Sequence, residues 1–472
     1  MKILVLEAST TSAKAMLYDT VKNESEIFTR EYGNIDYRSI HAGDQIFKKM
    51  LSAGRQLTEG KDIDIISIGT TWHSLMLCDK HMDPVTPLYL WNNMAAADVC
   101  TDIRKEKAYT DSFYKSTGCM VHAMYPVFKL EYLKRQGIPA EQYFLVNLGT
   151  YLTWKMSGIR ISTRCMASGS GFLNLYTGQY DHDIMYQYGV KDWQMSPLAA
   201  AEMTVPLQQS AASCLGLTEG IPVVPAEPDG GLNQIGVGAV KTGIATLSIG
   251  TSGAIRVSAE KPAVSDRKAT WCYRSPAGYL AGAATNGCNC IDWMKRNIFP
   301  GEVSYAQLET GITEKDRTPV FLPFLFGERC PGWKDDRKAG FVNLLPEHTV
   351  YDLYGSIQEG ILFNLFQCYG ELKKSGITVK KIMLSGGILH SQRWTKMCAD
   401  IFQREMCINQ VEQGSLLGGA ALGMKILGVL DSLESFEPQI TEVVVPEEER
   451  GELYKKKYQR YLDSYNCFGE KE

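Results

Sequence analysis

Near the middle of the chain, Pro228-Asp229-Gly230-Gly231 sets one carboxylate between a proline and two glycines, just ahead of a run of small residues. Taken alone these four residues read as a turn, because Asp bonds its own backbone and Gly accepts positive φ. Two hydroxyl-rich turns flank this acid along the chain. One is Glu7-Ala8-Ser9-Thr10-Thr11-Ser12-Ala13 and the other Ser248-Ile249-Gly250-Thr251-Ser252-Gly253-Ala254. Crowded hydroxyls and backbone N–H groups in such a turn form a concavity suited to phosphate. Two of them at matched positions suggest a nucleoside triphosphate gripped from both sides. No GxxxxGK[ST] loop occurs, so the phosphate site is not of the Walker type. A third glycine motif, Ser385-Gly386-Gly387, ends a strand, where a ligand can approach the backbone closely.

Polar and aromatic residues on short segments complete the candidates: Trp72-His73-Ser74, Trp91-Asn92-Asn93, and Gly327-Glu328-Arg329 ahead of Cys330-Pro331-Gly332-Trp333. A lone His or Trp is more often a core residue. For Glu328 and Arg329, an internal salt bridge supporting a loop is the expectation.

These residues need a frame, and the surrounding periodicities supply one. KILVLE, AKAMLYD and EIFTREY alternate like paired strands. Asp44–Glu59 has apolar residues at helical spacing, and Asp64–Thr70 reads as a buried strand. Gly243–Glu260 repeats the opening strand pair, which makes a duplicated domain the expectation, with the boundary near Val240 and domains over 1–240 and 241–472. Thr349–Ser375 reads as one long helix, with a capping box from Thr349 to Asp352 and a stop at Gly376. A strand follows in VKKIMLSGG, then a helix capped by Ser391, a strand in MCINQ, a helix in LLGGAALGMKILG, and a charged helical tail from Val443 to Glu472. Strands alternating with helices specify an α/β architecture.

Composition narrows the partners. The 472 residues carry 49 basic and 53 acidic side chains, a net charge of −4, which offers no electrostatic case for nucleic acid or an anionic membrane surface. No stretch approaches the roughly 20 apolar residues of a membrane span. The 13 cysteines are scattered, and Cys288-Asn289-Cys290 has no second half for a zinc site. Reduced, mostly buried thiols in a cytoplasmic protein are expected.

Taken together, the chain resembles the FGGY family of carbohydrate kinases over about Ile3 to Gly428. The segments that carry the likeness are TGCMVHAMYPVFKLEYL from Thr117, PDGGLNQIGVGA from Pro228, LSIGTSGAIR from Leu247, FLPFLFGERCPGW from Phe321 and LSGGILHSQRWTKMCADIF from Leu384. The gluconate kinase branch is the most similar. The resemblance implies two duplicated actin-like (ribonuclease H-like) ATPase domains with a catalytic cleft between them, and a kinase using ATP and Mg²⁺ on a small sugar, polyol or sugar acid. It implies that Asp229 is the catalytic base, which orients a sugar hydroxyl and accepts its proton as the γ-phosphoryl moves in line. Substrate contacts would come from His73, Ser74, Trp91, Asn93 and Asp229. Nucleotide contacts would come from Thr10, Thr11 and Lys14, from Gly250, Thr251 and Ser252, and from Gly386 and Gly387. Mg²⁺ would bridge phosphates mainly through water, with Glu7 as its nearest protein carboxylate. Lys129, His73 and Asn286 match positions near the cleft, and a homodimer is compatible with the likeness.

The chain departs from the family pattern at five positions. Glu7 replaces a shorter acid, and Ser9 adds a Cβ where a glycine is usual. Asn93 and Ala95 replace the acid and the base of a Trp-x-Asp-x-Arg motif. Thr163 stands where an acid is expected. Two further readings follow from these departures: a xylulose-type sugar kinase, and a kinase-like protein that binds sugar or nucleotide without turnover.

Overall fold

The computed structural model describes residues 1–299, 303–312, 317–409, 411 and 413–467. Its two main sheets each gather one half of the chain. The first runs in the order Glu24–Glu31, Ser12–Asp19, Lys2–Ala8, Ile65–Thr70, Pro222–Pro228, Val205–Pro206. Its central strand Lys2–Ala8 pairs antiparallel with Ser12–Asp19 and parallel with Ile65–Thr70. Ile3 to Leu6 are wholly buried, which is why that strand is apolar on both faces.

The second sheet repeats the plan in the order Trp271–Ser275, Gly278–Asn286, Ser252–Ala259, Ile244–Ile249, Lys381–Ser385, Met406–Asn409, Ile440–Val444. Here too a hairpin is followed by a parallel neighbour, Lys381–Ser385 against Ile244–Ile249. The internal repeat therefore extends to strand order. Its turns differ in one respect: Ala8 pairs with Ala13, whereas Ile249 pairs with Gly253, so the second turn is one residue tighter than the aligned sequences suggest.

Two helices join the halves. Asp229–Gly236 leads out of the first sheet and lies between the two: Leu232 and Ile235 cluster with Ile3, Val5 and Ile65 of the first, while the Gln234 amide donates to Ser258 Oγ at 3.2 Å and accepts from Thr246 Oγ1 at 2.8 Å in the second. Gly414–Ile426 comes from the far end of the chain and packs on the first sheet, with Gly419 against Val5 and Gly423 against Ile3. Where the helices cross, only glycine fits. A Cβ on Gly236 would lie 1.8 Å from the Gly414 carbonyl oxygen, and one on Gly418 would lie 1.8 Å from that of Leu232. The glycines of this last helix, unfavourable for an isolated helix, are the condition of its packing.

Local signals held where short-range chemistry governs. Thr349 caps Val350–Lys374 in a reciprocal capping box with Asp352, and Ser391 caps Gln392–Phe402 by accepting from Trp394 N–H. Two expectations need correction. Val443 and Val444 belong to an edge strand paired with Met406 and Cys407, and the tail helix begins only at Glu448; pairing overrides the charge pattern there. Pro228-Asp229-Gly230-Gly231 is not a free turn but the start of a helix, with Pro228 as its N-cap. Gln410 of the MCINQ strand and the tail beyond Cys467 lie outside the described residues. Among those residues every cysteine is a free thiol, most of them buried, and no helix is long and apolar enough to cross a membrane.

Candidate active site

Asp229 stands where the strand Pro222–Pro228 hands over to its helix, so the carboxylate is held at the mouth between the two sheets. Its Oδ1 accepts from the Gly230 N–H at 2.7 Å. Burial, reinforced by the Glu7 carboxylate, pushes the Asp229 carboxyl up to about 6, against the opposing pull of Arg256, the Gly230 N–H and Lys14. The two glycines after it make room for neighbours. A Cβ on Gly230 would meet the Trp72 ring at 3.0 Å and Arg256 Nε at 3.2 Å, and one on Gly231 would meet Cys165 Sγ at 3.2 Å.

The first hydroxyl-rich turn lies beside this carboxylate. Glu7 and Lys14 face each other across the hairpin, 3.6 Å apart, and Lys14 also donates to Gln413 Oε1 at 2.9 Å, at the start of the glycine-rich helix. Glu7 Oε2 is buried without a hydrogen-bond partner. The Ser9 hydroxyl turns inward and donates to the Ser12 carbonyl at 2.8 Å, while Thr11 is exposed. Thr10 Oγ1 accepts from Trp91 Nε1 at 3.2 Å, which ties this turn to the Trp91 segment.

The second turn is braced from behind. Gly250 and Thr251 carbonyls accept from Cys288 and Asn289 N–H at 2.7 and 3.1 Å, and Gly287 lies so close that a Cβ there would be 2.7 Å from Gly250 O. Gly386 has φ 92°, and a Cβ on it would lie 2.6 Å from Ile249 O. Gly387 lies beside Cys288 Sγ. Thus Gly250, Thr251, Ser252, Gly386 and Gly387 converge, together with Ser385, whose buried hydroxyl has no partner. Nothing lies within 4 Å of a Cβ built on Gly250. This open, glycine-lined corner, with the orphaned Ser385 hydroxyl, fits a nucleotide, and the orphaned Glu7 Oε2 on the first turn fits a metal. Among the described residues no three His, Cys, Asp or Glu side chains converge as a metal cage.

The aromatic segments form the other wall. His73 adopts φ 62°, and its Nδ1 lies 2.8 Å from the Gly169 carbonyl, so that nitrogen carries the proton. Burial drives the imidazole down to about 3, leaving it neutral with Nε2 as an acceptor. Trp72 donates to the Cys165 carbonyl at 3.0 Å and packs against Tyr273 and Trp271 of the second sheet. Lys129 is wholly buried and donates to three carbonyls, those of His73, Leu90 and Met124, at 2.9, 2.6 and 2.8 Å. All three ammonium protons are engaged, so Lys129 ties together the segments that carry His73 and Trp91.

Several candidates take other roles. Ser74 Oγ accepts from Leu148 N–H at 2.8 Å and is not part of this cluster. Asn93 Oδ1 accepts from Ala95 N–H at 3.0 Å and shapes its own turn. Asn286 donates to the Gly327 carbonyl at 3.0 Å and so fixes that loop against the second turn. Thr163 caps the helix Arg164–Ser168 and donates to Ala226 O. Beside it Glu227 is a buried carboxyl, pushed up to about 8 by burial, in a separate cavity of ≈ 280 Å³.

The expected Glu328–Arg329 salt bridge is absent among the described residues. Glu328 is buried and pairs with Arg337 at 2.9 Å while accepting from Gly332 N–H and Tyr465 O–H. Arg329 instead lies over the Trp91 ring, 5.3 Å from its centroid, and donates to the Thr285 carbonyl. Consecutive residues of an extended loop point apart, so adjacency in sequence misled. Arg256 was also missed. The signal available was a charged residue between apolar neighbours, Ile255 and Val257, in the strand Ser252–Ala259.

Comparison with known proteins gives a consistent result. The N-terminal domain of the FGGY family of carbohydrate kinases matches residues 2–236, and its C-terminal domain matches 245–426. The chain is 26% identical over 466 residues to the gluconokinase of Bacillus subtilis (strain 168), covering 93% of this chain and 90% of that protein. It is 26% identical over 423 residues to the xylulose kinase of the same organism, covering 86% and 83%. Among solved structures it is similar to a gluconate kinase from Lactobacillus acidophilus, with TM-score 0.92 and 26% identity over 99% of this chain and 98% of that one. A ligand-bound xylulose kinase from Lactobacillus acidophilus matches with the same figures.

Proposed function

The chain belongs to the FGGY family of carbohydrate kinases and has its two-domain α/β fold; from this premise we propose that it phosphorylates a hydroxyl of a small sugar acid, gluconate foremost, with Asp229 as general base. In this reading residues 1–240 bind the acceptor and 241–472 the nucleotide, and the free thiols fit a cytoplasmic enzyme. ATP with Mg²⁺ would supply the phosphoryl group. Thr10, Thr11, Lys14, Gly250, Thr251, Ser252, Gly386 and Gly387 would hold it, with Glu7 near the metal.

One observation carries the reading. Asp229 is partly buried beside the first phosphate-type turn, where Glu7 and Lys14 act on it, and its carboxyl is held near 6, so at neutral pH it is largely ionised and close enough to solution pH to exchange a proton with a hydroxyl. His73 Nε2, as an acceptor, and the Trp72 and Trp91 faces would orient the acceptor and exclude water. ADP release from Mg-ATP is the test, with gluconate, xylulose, ribulose, glycerol and erythritol as acceptors. Turnover with gluconate is expected to fall about 10²- to 10⁴-fold in Asp229→Asn. Near-normal turnover in that variant sinks the base assignment, and turnover with xylulose in place of gluconate moves the chain to the xylulose-type reading.

A further inference from the structure

Two guanidinium groups from the C-terminal half reach the acceptor wall without an acid to pair with. Arg256 Nε is buried and has no hydrogen-bond partner, and among the described residues no carboxylate lies within ion-pair distance of the side chain. It packs against Gly230, next to Asp229, whose charge acts on it from farther off. Arg329, over Trp91, likewise has no ion-pair partner among the described residues; its one hydrogen bond goes to the Thr285 carbonyl. Arg256 acts on Arg329 as a like charge, and partial removal from water lowers the proton affinity of both.

The opposite wall does nothing to balance them. From Tyr89 to Ala97 the segment around Trp91 contains no charged residue, and His73 is neutral. Leaving a charge unpaired is costly to the extent that it is shielded from water, as the buried Arg256 Nε is. Asp229 cannot serve as a permanent counter-ion for both and still take a proton from substrate. Phosphate oxygens have their own partners at the two turns and Lys14, whereas Arg329 shares its surroundings with Trp91 and His73.

We propose that Arg329 and Arg256 bind a carboxylate on the acceptor, which makes the substrate class a polyhydroxy acid and disfavours neutral polyols and ketoses. The inference rests on the sugar-kinase reading. A guanidinium fork matches a carboxylate by parallel N–H···O bonds, and an acceptor without that group would leave the donors bare, which discriminates more strongly than any apolar contact.

The test compares gluconate with D-glucitol, which replaces the carboxylate by CH₂OH. Calorimetry without nucleotide measures binding, and ADP release with Mg-ATP measures turnover, for the wild type, Arg329→Gln, Arg256→Gln and Asn93→Asp. The wild type is expected to favour gluconate by about 10- to 100-fold, and each arginine variant to lose most of that preference while glucitol binding stays put. Asn93→Asp, which alters a partly exposed turn and adds a like charge, is expected to weaken gluconate alone. Equal losses for both ligands would assign the arginines to the phosphoryl group or to structure and overturn the proposal. So would tighter wild-type binding of glucitol or xylulose than of gluconate, or no binding of gluconate. Arginine-dependent gluconate binding with no ADP from any acceptor would instead overturn the kinase reading and leave the carboxylate site standing.

Discussion

The Asp229 carboxylate of one half lies within electrostatic reach of the Arg256 guanidinium of the other, and Gly230 is the spacer that lets them approach. The proton affinity of the base is therefore set jointly by both halves: Glu7 raises it and Arg256 and Lys14 lower it. The acid limb of kcat/KM is expected near pH 6. Glu7→Gln should move it to lower pH and Arg256→Gln to higher pH, as read from pH-rate profiles. A limb that stays fixed in both variants would contradict this.

Linkage gives a stability counterpart with a definite sign. Asp229 has a folded-state pKa of about 6 against an ordinary 3.8, so between these values the folded state holds the proton more tightly than the unfolded state. Stability falls as pH rises through that window, and the cost is complete above about 6. Asp229→Asn should therefore raise Tm by a few degrees at pH 8, with the gain fading towards pH 4. Thermal melts at both pH values check it.

Lys129 fills three carbonyls with one ammonium. Lys129→Met keeps the bulk but strands those acceptors, and about 3 kcal/mol of stability should be lost. Because the tied segments carry His73 and Trp91, acceptor KM should rise in whatever folds, while nucleotide affinity changes little. Denaturant unfolding and steady-state kinetics separate the two effects.

At the helix crossing, Gly418→Ala would drive a methyl group into the Leu232 carbonyl, and about 3 kcal/mol should be lost. Gly370→Ala is the control. Gly370 lies inside Val350–Lys374 with nothing within 4 Å of an added Cβ, and this change should stabilise by up to about 1 kcal/mol. Similar outcomes for the two would mean that the close crossing is not what selects glycine.

Gly386→Ala combines positive φ with a contact of 2.6 Å to Ile249 O. Nucleotide affinity should fall about tenfold or more, since even ~1.4 kcal/mol of displacement at that corner suffices, with gluconate binding retained. Titration of each ligand separately decides it.

How much was legible in advance followed the range of the interactions concerned. The capping box at Thr349, the cap at Ser391 and the paired strands of each half were readable because their signals lie within a few residues. The segment carrying Asp229 was readable as a special place, but its helical conformation was not, since turn and helix start use the same residues. The bond of Ser74 with Leu148 N–H and the pairing of Glu328 with Arg337 were not readable, because only the packed loops determine which neighbour each polar group meets.

What the sequence determined by itself was thus the fold class, the repeat and the set of chemically able residues. Periodicity, caps and residue types are properties of short windows. Tertiary structure alone decided that Thr10 would meet Trp91 across 81 residues, that Arg329 would lie on that same indole, and that the two glycine-bearing helices would cross in close contact. Each of these contacts joins segments far apart in the chain. Their partners are selected by burial and shape when the sheets close on one another, and no local pattern encodes that selection.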